Sequence, residues 1–168
     1  SGYLPQMQGI EPPNKVWLHM VAFDLGRSPD GKWWVITHRM QAPSGLGYAL
    51  ENRLSISRSF TRGFREMHIQ HLAGFYRDYI DGIRRLSPKG DSARIALLTP
   101  GPYNETYFEH TYLARYLGIS LVEGSDLTVR NNNVFLKTVN GLEPIDGLIR
   151  RTDDQWLDPL ELREDSQL

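Results

Sequence analysis

Two polar clusters in this chain hold the side-chain types needed to grip a small zwitterion. The first is Tyr103-Asn104-Glu105 within PGPYNE, directly after the short apolar run RIALLT. The second is Arg150-Arg151-Thr152-Asp153-Asp154, directly after DGLI. An asparagine amide can donate to a carboxylate, an arginine fork can clamp one, and a Glu or Asp oxygen can accept from an amine. In this reading Asn104 donates to a carboxylate, Glu105 accepts from an amine, and Arg150 or Arg151 completes the clamp. Pro100 and Pro102 remove backbone donors, so the loop is not a glycine-rich pyrophosphate cradle and is expected to meet the substrate rather than a nucleotide. The same residues also suit purely structural roles. Asn104 and Thr106 can cap a helix, Thr106 and Glu109 have capping-box spacing, and the Arg/Asp run can be a solvated charge patch.

The elements that would position these clusters can be read from periodicity. VWLHMVAFDL alternates like a strand, and RSPDGKWWVITHR reads as a hairpin because Pro-Asp-Gly is a turn signature and Trp33 to Ile36 is aromatic and β-branched. YALENRLSISRSF suits a helix around Tyr48 to Ser55. From Arg65 to Leu86 apolar residues recur every three or four positions, which predicts one long amphipathic helix. RIALLT predicts a buried strand, the stretch from about Glu105 to Leu117 a helix ended by Gly118, and ISLVEG the next strand. That is a β-loop-α-β unit of an open, largely parallel sheet. DLTVRNNNVFLKTV reads as a hairpin turning at Asn131 to Asn133, and PIDGLIRR as a further strand. Ligands bind beyond the carboxyl ends of such strands, so both polar clusters open onto one crevice if their strands are parallel neighbours.

Bulk properties narrow the function classes. The 168 residues are 40% hydrophobic and 23% charged with a net charge of −1, a globular composition with no footprint for nucleic acid or an anionic membrane surface. There is no cysteine, which removes disulfides and thiolate metal sites. No apolar run approaches a membrane span, and a soluble, cytoplasmic protein is expected. The chain begins SGYLPQ without a methionine and ends in a charged, helix-friendly segment, as expected of a piece of a longer protein. His19, His68, His71 and His110 show no metal-site spacing. Trp17, Trp33 and Trp34 are expected in a core or at an interface.

Four stretches, QAPSGLGYALENR, LLTPGPYNETYFEHTYLARYLG, LVEGSDLTVR and RRTDDQWLDPLELREDS, together resemble the bacterial circularly permuted ATP-grasp proteins. These are similar to glutathionylspermidine-synthase and glutathione-synthetase type ligases. The likeness spans nearly the whole chain, which would be the middle portion of a longer one. It implies an α/β fold: a Rossmann-like pre-ATP-grasp sheet with flanking helices over residues 61–168, and a partial ATP-grasp hairpin-helix element over residues 1–60. It also implies ATP-dependent carboxylate–amine ligation by the complete protein, with ATP and Mg²⁺ as cofactors and an amino-acid-like or peptide-like substrate. A non-catalytic, degenerate ATP-grasp that binds nucleotide or peptide, or acts as a scaffold, is the other class. The fragment alone is expected to lack ATP turnover and to self-associate through apolar surface left open.

The resemblance places Asp24 at one Mg²⁺ ligand position, with an acidic residue and an Asn expected on the following strand. The chain instead reads Thr37-His38-Arg39 there. A guanidinium cannot ligate a metal, although Arg39 suits a phosphate oxygen. Asp24 also fits an ordinary hairpin ion pair with Arg27 or Arg39. In QAPSGLGYALENR the resemblance favours a polyphosphate site: backbone N–H groups and a hydroxyl from Pro43-Ser44-Gly45, with Glu51, Asn52 and Arg53 about two turns along the next helix. The alternative is a turn followed by an ordinary helix.

Overall fold

Pro29-Asp30-Gly31 turns the chain back on itself in the computed structural model, which describes residues 8–157. The turn joins β1 (Ala22–Arg27) to β2 (Trp33–Arg39), paired antiparallel with an irregularity between Asp24 and Leu25. Asp30 Oδ1 accepts from the Ser28 hydroxyl and from the Lys32 N–H, and Gly31 takes the left-handed backbone that the turn requires. The strand expected from Val16 begins only at Ala22, because its partner ends at Arg39, opposite Ala22. Phe23, Leu25, Trp33, Trp34, Val35 and Ile36 are all exposed. This hairpin lies in one compact unit, which runs to Met40; a second runs from Gln41 onward.

In the second unit, β3 (Ile95–Leu98) lies between β4 (Ser120–Val122) and β8 (Gly147–Arg150), parallel to both. Every residue of β3 is buried because the strand is covered on both faces. Ile95 and Leu97 join one apolar cluster with Leu50, Tyr76, Ile80, Leu113 and Ile149. Ala96 and Leu98 join another with Val122, Leu127 and Ile145. The alternation is the period of two that a pleated strand imposes. Helices α1 (Leu46–Ser59), α3 (Ala73–Arg84) and α4 (Tyr107–Leu117) supply the first cluster. Gly118 ends α4 in the left-handed conformation, as its sequence position predicted.

The single helix expected from Arg65 to Leu86 is two. Helix α2 (Thr61–Glu66) stops, His68 takes a positive φ of 52°, and α3 restarts at Ala73. Phe64 is buried with the His71 ring 5.1 Å away, and the Arg53 guanidinium donates to the Gln70 carbonyl at 2.7 Å, so the connector is tied on both sides. PIDGLIRR also divides. Pro144 and Ile145 close an antiparallel meander of β5 (Leu127–Arg130), β6 (Asn133–Thr138) and β7 (Gly141–Ile145), while Gly147 onward enters the parallel sheet. Asp146 makes the corner: its carboxylate accepts from the Arg94 N–H at 2.9 Å and pairs with Lys89 at 2.7 Å. The β5–β6 turn uses Asn131 and Asn132 at φ of 51° and 60°, a conformation asparagine tolerates.

The unit boundary falls after Met40, whereas the sequence pattern put a division after residue 60. Helix α1 goes with the sheet because Leu50 is 1% exposed within the helix-side cluster. Leu50→Ala should therefore cost about 2–5 kcal/mol, readable as a lowered denaturation midpoint of this unit; a loss under about 1 kcal/mol would show that α1 is not seated in that core.

Candidate functional site

The parallel pairing of β3 with β8, Leu98 opposite Arg150, brings the two strand ends side by side. Their following segments line one pocket of about 310 Å³, formed by Pro100, Tyr103, Asn104, Arg151, Thr152, Asp153 and Trp156. The crevice expected from the sequence is present. Four of the substrate-site residues expected from the sequence, Tyr103, Asn104, Arg151 and Asp153, lie in its wall. Tyr103 and Asp153 are exposed, and Asn104 is half-buried. Thr152 lies within the second polar cluster but was given no role, and Trp156 was not anticipated; its position beyond β8 was the available signal. Glu105 is exposed and does not line the pocket. Asp154 opens the short α5 (Asp154–Leu157), and its side chain lies outside the described structure.

Each of the two arginines has a partner within the protein. Arg150 turns its guanidinium to the Thr152 carbonyl at 3.1 Å and the Gln41 side-chain oxygen at 3.2 Å. Arg151 is buried; it donates to the Pro43 carbonyl at 2.9 Å and stands 3.8 Å from a carboxylate oxygen of Glu109. Burial lowers its pKa from the ordinary arginine value, and the Glu109 charge opposes that shift. Its positive charge at the pocket is thus already answered by a carboxylate.

Glu109 is the organising residue the sequence concealed. Capping-box spacing assigned it to its own helix, but its side chain is fully buried and points to another one. Its Oε1 accepts from Gly45 N at 2.8 Å and Gly47 N at 2.9 Å, and its Oε2 from Gly45 N at 3.0 Å. Gly45 is the N-cap of α1, at φ 115° and with no side-chain cap of its own. Helix α4 therefore caps α1 with a carboxylate placed at the positive end of its dipole. The Tyr76 hydroxyl adds a bond to the Leu46 carbonyl at 2.5 Å, and burial with the Glu109 charge pushes its pKa up to about 12. The signal in the sequence was a carboxylate four residues before Leu113, on a helix flank that is otherwise apolar.

The N–H of Gly45, which was to meet a phosphate, is held by Glu109; Arg53 is bound to Gln70; and Ser44 stands exposed beside the loop. The loop is built to bind an anion, and the anion is internal. In the first unit, Arg39 donates to Asp24 Oδ2 through Nε at 3.2 Å and Nη2 at 3.0 Å, which is the hairpin ion pair. Thr37 stands opposite Asp24 in the ladder. These residues do not suit Mg²⁺, which demands several hard oxygens in octahedral array. Among the described residues no three His, Asp or Glu side chains gather as a metal site.

Behind the pocket wall His110 is 1% exposed. Its Nδ1 lies 2.8 Å from the Thr99 hydroxyl and its Nε2 3.0 Å from the Thr106 hydroxyl. Asn104 Oδ1 accepts from both the N–H and the hydroxyl of Thr106, at 2.9 and 2.7 Å. Burial, reinforced by the Arg151 charge and opposed by Glu109, pushes the His110 pKa down to about 4.

The sequence model of the circularly permuted ATP-grasp type 2 family matches residues 1–168. The chain belongs to this family. It is 38% identical to the uncharacterized protein sll0335 of Synechocystis sp. over 169 residues, covering all of this chain and 35% of that protein. It is 38% identical to the uncharacterized protein Rv2411c of Mycobacterium tuberculosis, over 97% of this chain and 30% of that one. A second protein of that organism, Rv2567, is 35% identical over 99% of this chain and 19% of its own length. The chain thus spans about a third or less of the curated relatives it matches. Among the described residues no helix is long and apolar enough to cross a membrane.

Two outcomes test the site's framework. Glu109→Ala leaves Arg151 as an uncompensated buried cation and α1 uncapped, so it should destabilise the protein by about 3–5 kcal/mol in denaturant titrations; a loss near zero would show that the pair does not hold the loop. His110 binds fewer protons folded than unfolded between its lowered value of about 4 and the unperturbed imidazole value of about 6.5. Its stability contribution is complete above about pH 6.5 and is lost as pH falls toward 4, on the order of 3 kcal/mol. His110→Phe should flatten the dependence of melting temperature on pH across that window; parallel curves for the two proteins would contradict a neutral His110.

Proposed function

We propose that this chain forms the substrate side of an ATP-dependent carboxylate–amine ligase of the permuted ATP-grasp type. Membership of the family, which typically uses ATP and Mg²⁺, supports the reaction class. In this reading the sheet of β3, β4 and β8 with its helices is the Rossmann-like pre-ATP-grasp domain, and the hairpin of β1 and β2 is a partial ATP-grasp element. The described residues offer neither a metal site nor an open phosphate cradle, so no step of phosphate chemistry is assigned to them.

The observation that carries the proposal is the shared pocket beyond β3 and β8. A volume of about 310 Å³ accommodates an amino acid or the end of a short peptide. Asn104 offers amide donors on one wall and Asp153 an exposed carboxylate on the other, so the two ends of a zwitterion each meet a complementary group. Asp153, rather than Glu105, is the acceptor for the amine. Tyr103 and Trp156 add aromatic surface for the intervening carbons. Arg151 supports the wall from behind through its pair with Glu109 and its bond to Pro43.

A second reading, a degenerate module that binds a peptide without catalysis, is favoured by the Arg39–Asp24 pair and by the occupied N–H groups of Gly45 and Gly47. The two separate in the full-length protein. Phosphate release from ATP, driven by mixtures of amino acids or dipeptides with amines, is expected for the ligase. Asn104→Ala and Asp153→Asn should each raise the KM for the zwitterionic substrate about tenfold with the KM for ATP unchanged. Because Asp153 is exposed, its substitution should leave the melting temperature within about 1 °C. Binding of dipeptides without any phosphate release would favour the non-catalytic module.

A further inference from the structure

We infer that a proton-ordered chain, running from the buried Thr99 and His110 out through the half-buried Thr106, holds the carboxamide of Asn104 so that its nitrogen, not its oxygen, faces the pocket. The inference rests on reading that pocket as the substrate site, and it adds the polarity of the group that binds there. His110 was not among the expected site residues, and no step above gives it a part in recognition.

The order of the protons follows from one fixed point. The backbone N–H of Thr106 can only donate, so the Asn104 atom 2.9 Å from it is the oxygen. That oxygen carries no proton, so the Thr106 hydroxyl, 2.7 Å away, must donate to it. With its one proton committed, the Thr106 hydroxyl can only accept from His110 Nε2 at 3.0 Å, and Nε2 therefore carries a hydrogen. A neutral imidazole has then no proton on Nδ1, which accepts from the Thr99 hydroxyl at 2.8 Å. The Gly101 N–H closes the sequence by donating to the Thr99 oxygen at 3.2 Å. Each group has one role, and no donor meets another donor. The half of the chain from Nε2 to Asn104 holds whether or not Nδ1 is protonated.

The consequence is chemical. Asn104 lines the pocket with its oxygen spent inward, so it presents two N–H donors and no acceptor. The group it recognises is an oxygen acceptor, a carboxylate or a peptide carbonyl, and an ammonium is refused at this wall. His110 and Thr106 are positioning residues that touch no substrate. Thr106 is the N-cap of α4 and His110 lies in its first turn, and the bond from His110 to Thr99, directly after β3, ties the orientation to the sheet rather than to the exposed loop.

The test uses the full-length protein labelled with ¹⁵N at histidine and asparagine. N-acetylglycine serves as a carboxylate without an amine, and ethylamine as an amine without a carboxylate. The His110 resonances should report the Nε2-protonated tautomer in the unmodified protein; the Nδ1-protonated tautomer at neutral pH would overturn the chain outright. N-acetylglycine should shift the Asn104 side-chain NH₂ signals and ethylamine should not; the reverse would overturn the stated polarity. Asn104→Asp keeps an oxygen toward Thr106 and puts a second oxygen where the NH₂ stood, so it should weaken N-acetylglycine binding at least about tenfold. His110→Phe should weaken it roughly fivefold and broaden or double the Asn104 NH₂ signals. If Asn104→Ala weakens binding and His110→Phe does not, the positioning role is wrong and the substrate pocket stands. If neither Asn104→Ala nor Asp153→Asn affects any ligand, the substrate reading fails and this inference fails with it.

Discussion

A single buried carboxylate holds the working end of this molecule together. Glu109 accepts from the first N–H groups of α1 and stands in ion-pair range of Arg151, beyond β8, so three segments distant in sequence meet at one side chain. Removing two charges from water is expensive, and a buried pair at 3.8 Å recovers that cost only in part. Hydrogen bonds offset part of the rest: Gly45 and Gly47 donate to the carboxylate and the guanidinium donates to Pro43, while Arg151 Nε is buried and makes no hydrogen bond among the described residues. The glycine at 47 is part of the same constraint. A Cβ there would lie 2.7 Å from Glu109 Cγ and 3.2 Å from Leu113 Cγ, so α1 approaches α4 this closely only without a side chain.

That arrangement sets what the pocket can be. With Arg151 paired to Glu109, the wall beyond β8 is not a field of free positive charge, and in the proposed reading selectivity passes to directed hydrogen bonds and to the exposed carboxylate of Asp153. Hydrogen bonds discriminate by direction, so the group that orients Asn104 matters as much as Asn104 itself. The sheet supplies the rigidity. β3 is clamped between β4 and β8 and buried on both faces, and the loop it feeds begins at Thr99, whose backbone N–H bonds to Val122 and whose hydroxyl meets His110.

The sequence was most informative where one physical signal dominated. The Pro-Asp-Gly hairpin, the uniformly apolar β3 and the Gly118 cap are each local patterns with one reading, and each is found; the two polar clusters meet because β3 and β8 are parallel neighbours. It was least informative where a residue's partner is far away along the chain. Glu109 satisfies the capping-box spacing and yet bonds more than sixty positions upstream, at Gly45 and Gly47; spacing describes only what a residue can reach within its own helix. The partners of Arg150 and Arg151 were hidden for the same reason, since Gln41 and Pro43 belong to a loop no periodicity connects to β8. The break between α2 and α3 was hidden because apolar periodicity continued through it, while a positive φ at His68 has no compositional mark. At Asp146 one strand pattern served two sheets, and only the carboxylate's bonds to Arg94 and Lys89 show where the chain turns.

Two ion pairs, of similar type and opposite consequence, explain why the candidate anion sites divide as they do. Arg39 and Asp24 meet in the open, with side chains 65% and 41% exposed, so water screens them and either partner can be exchanged at little cost. Arg151 and Glu109 are 2% and 0% exposed, and neither can be lost without leaving a charge in an apolar surrounding. A ligand anion competing for the N–H groups of Gly45 and Gly47 would have to displace a carboxylate that cannot reach water. One competing at the pocket wall meets Asn104, whose oxygen is already held by Thr106 and whose donors, in the orientation inferred above, point outward. In the proposed reading an incoming carboxylate is therefore taken at the mouth beyond β3, because the N–H groups of Gly45 and Gly47 are held by the protein's own side chain.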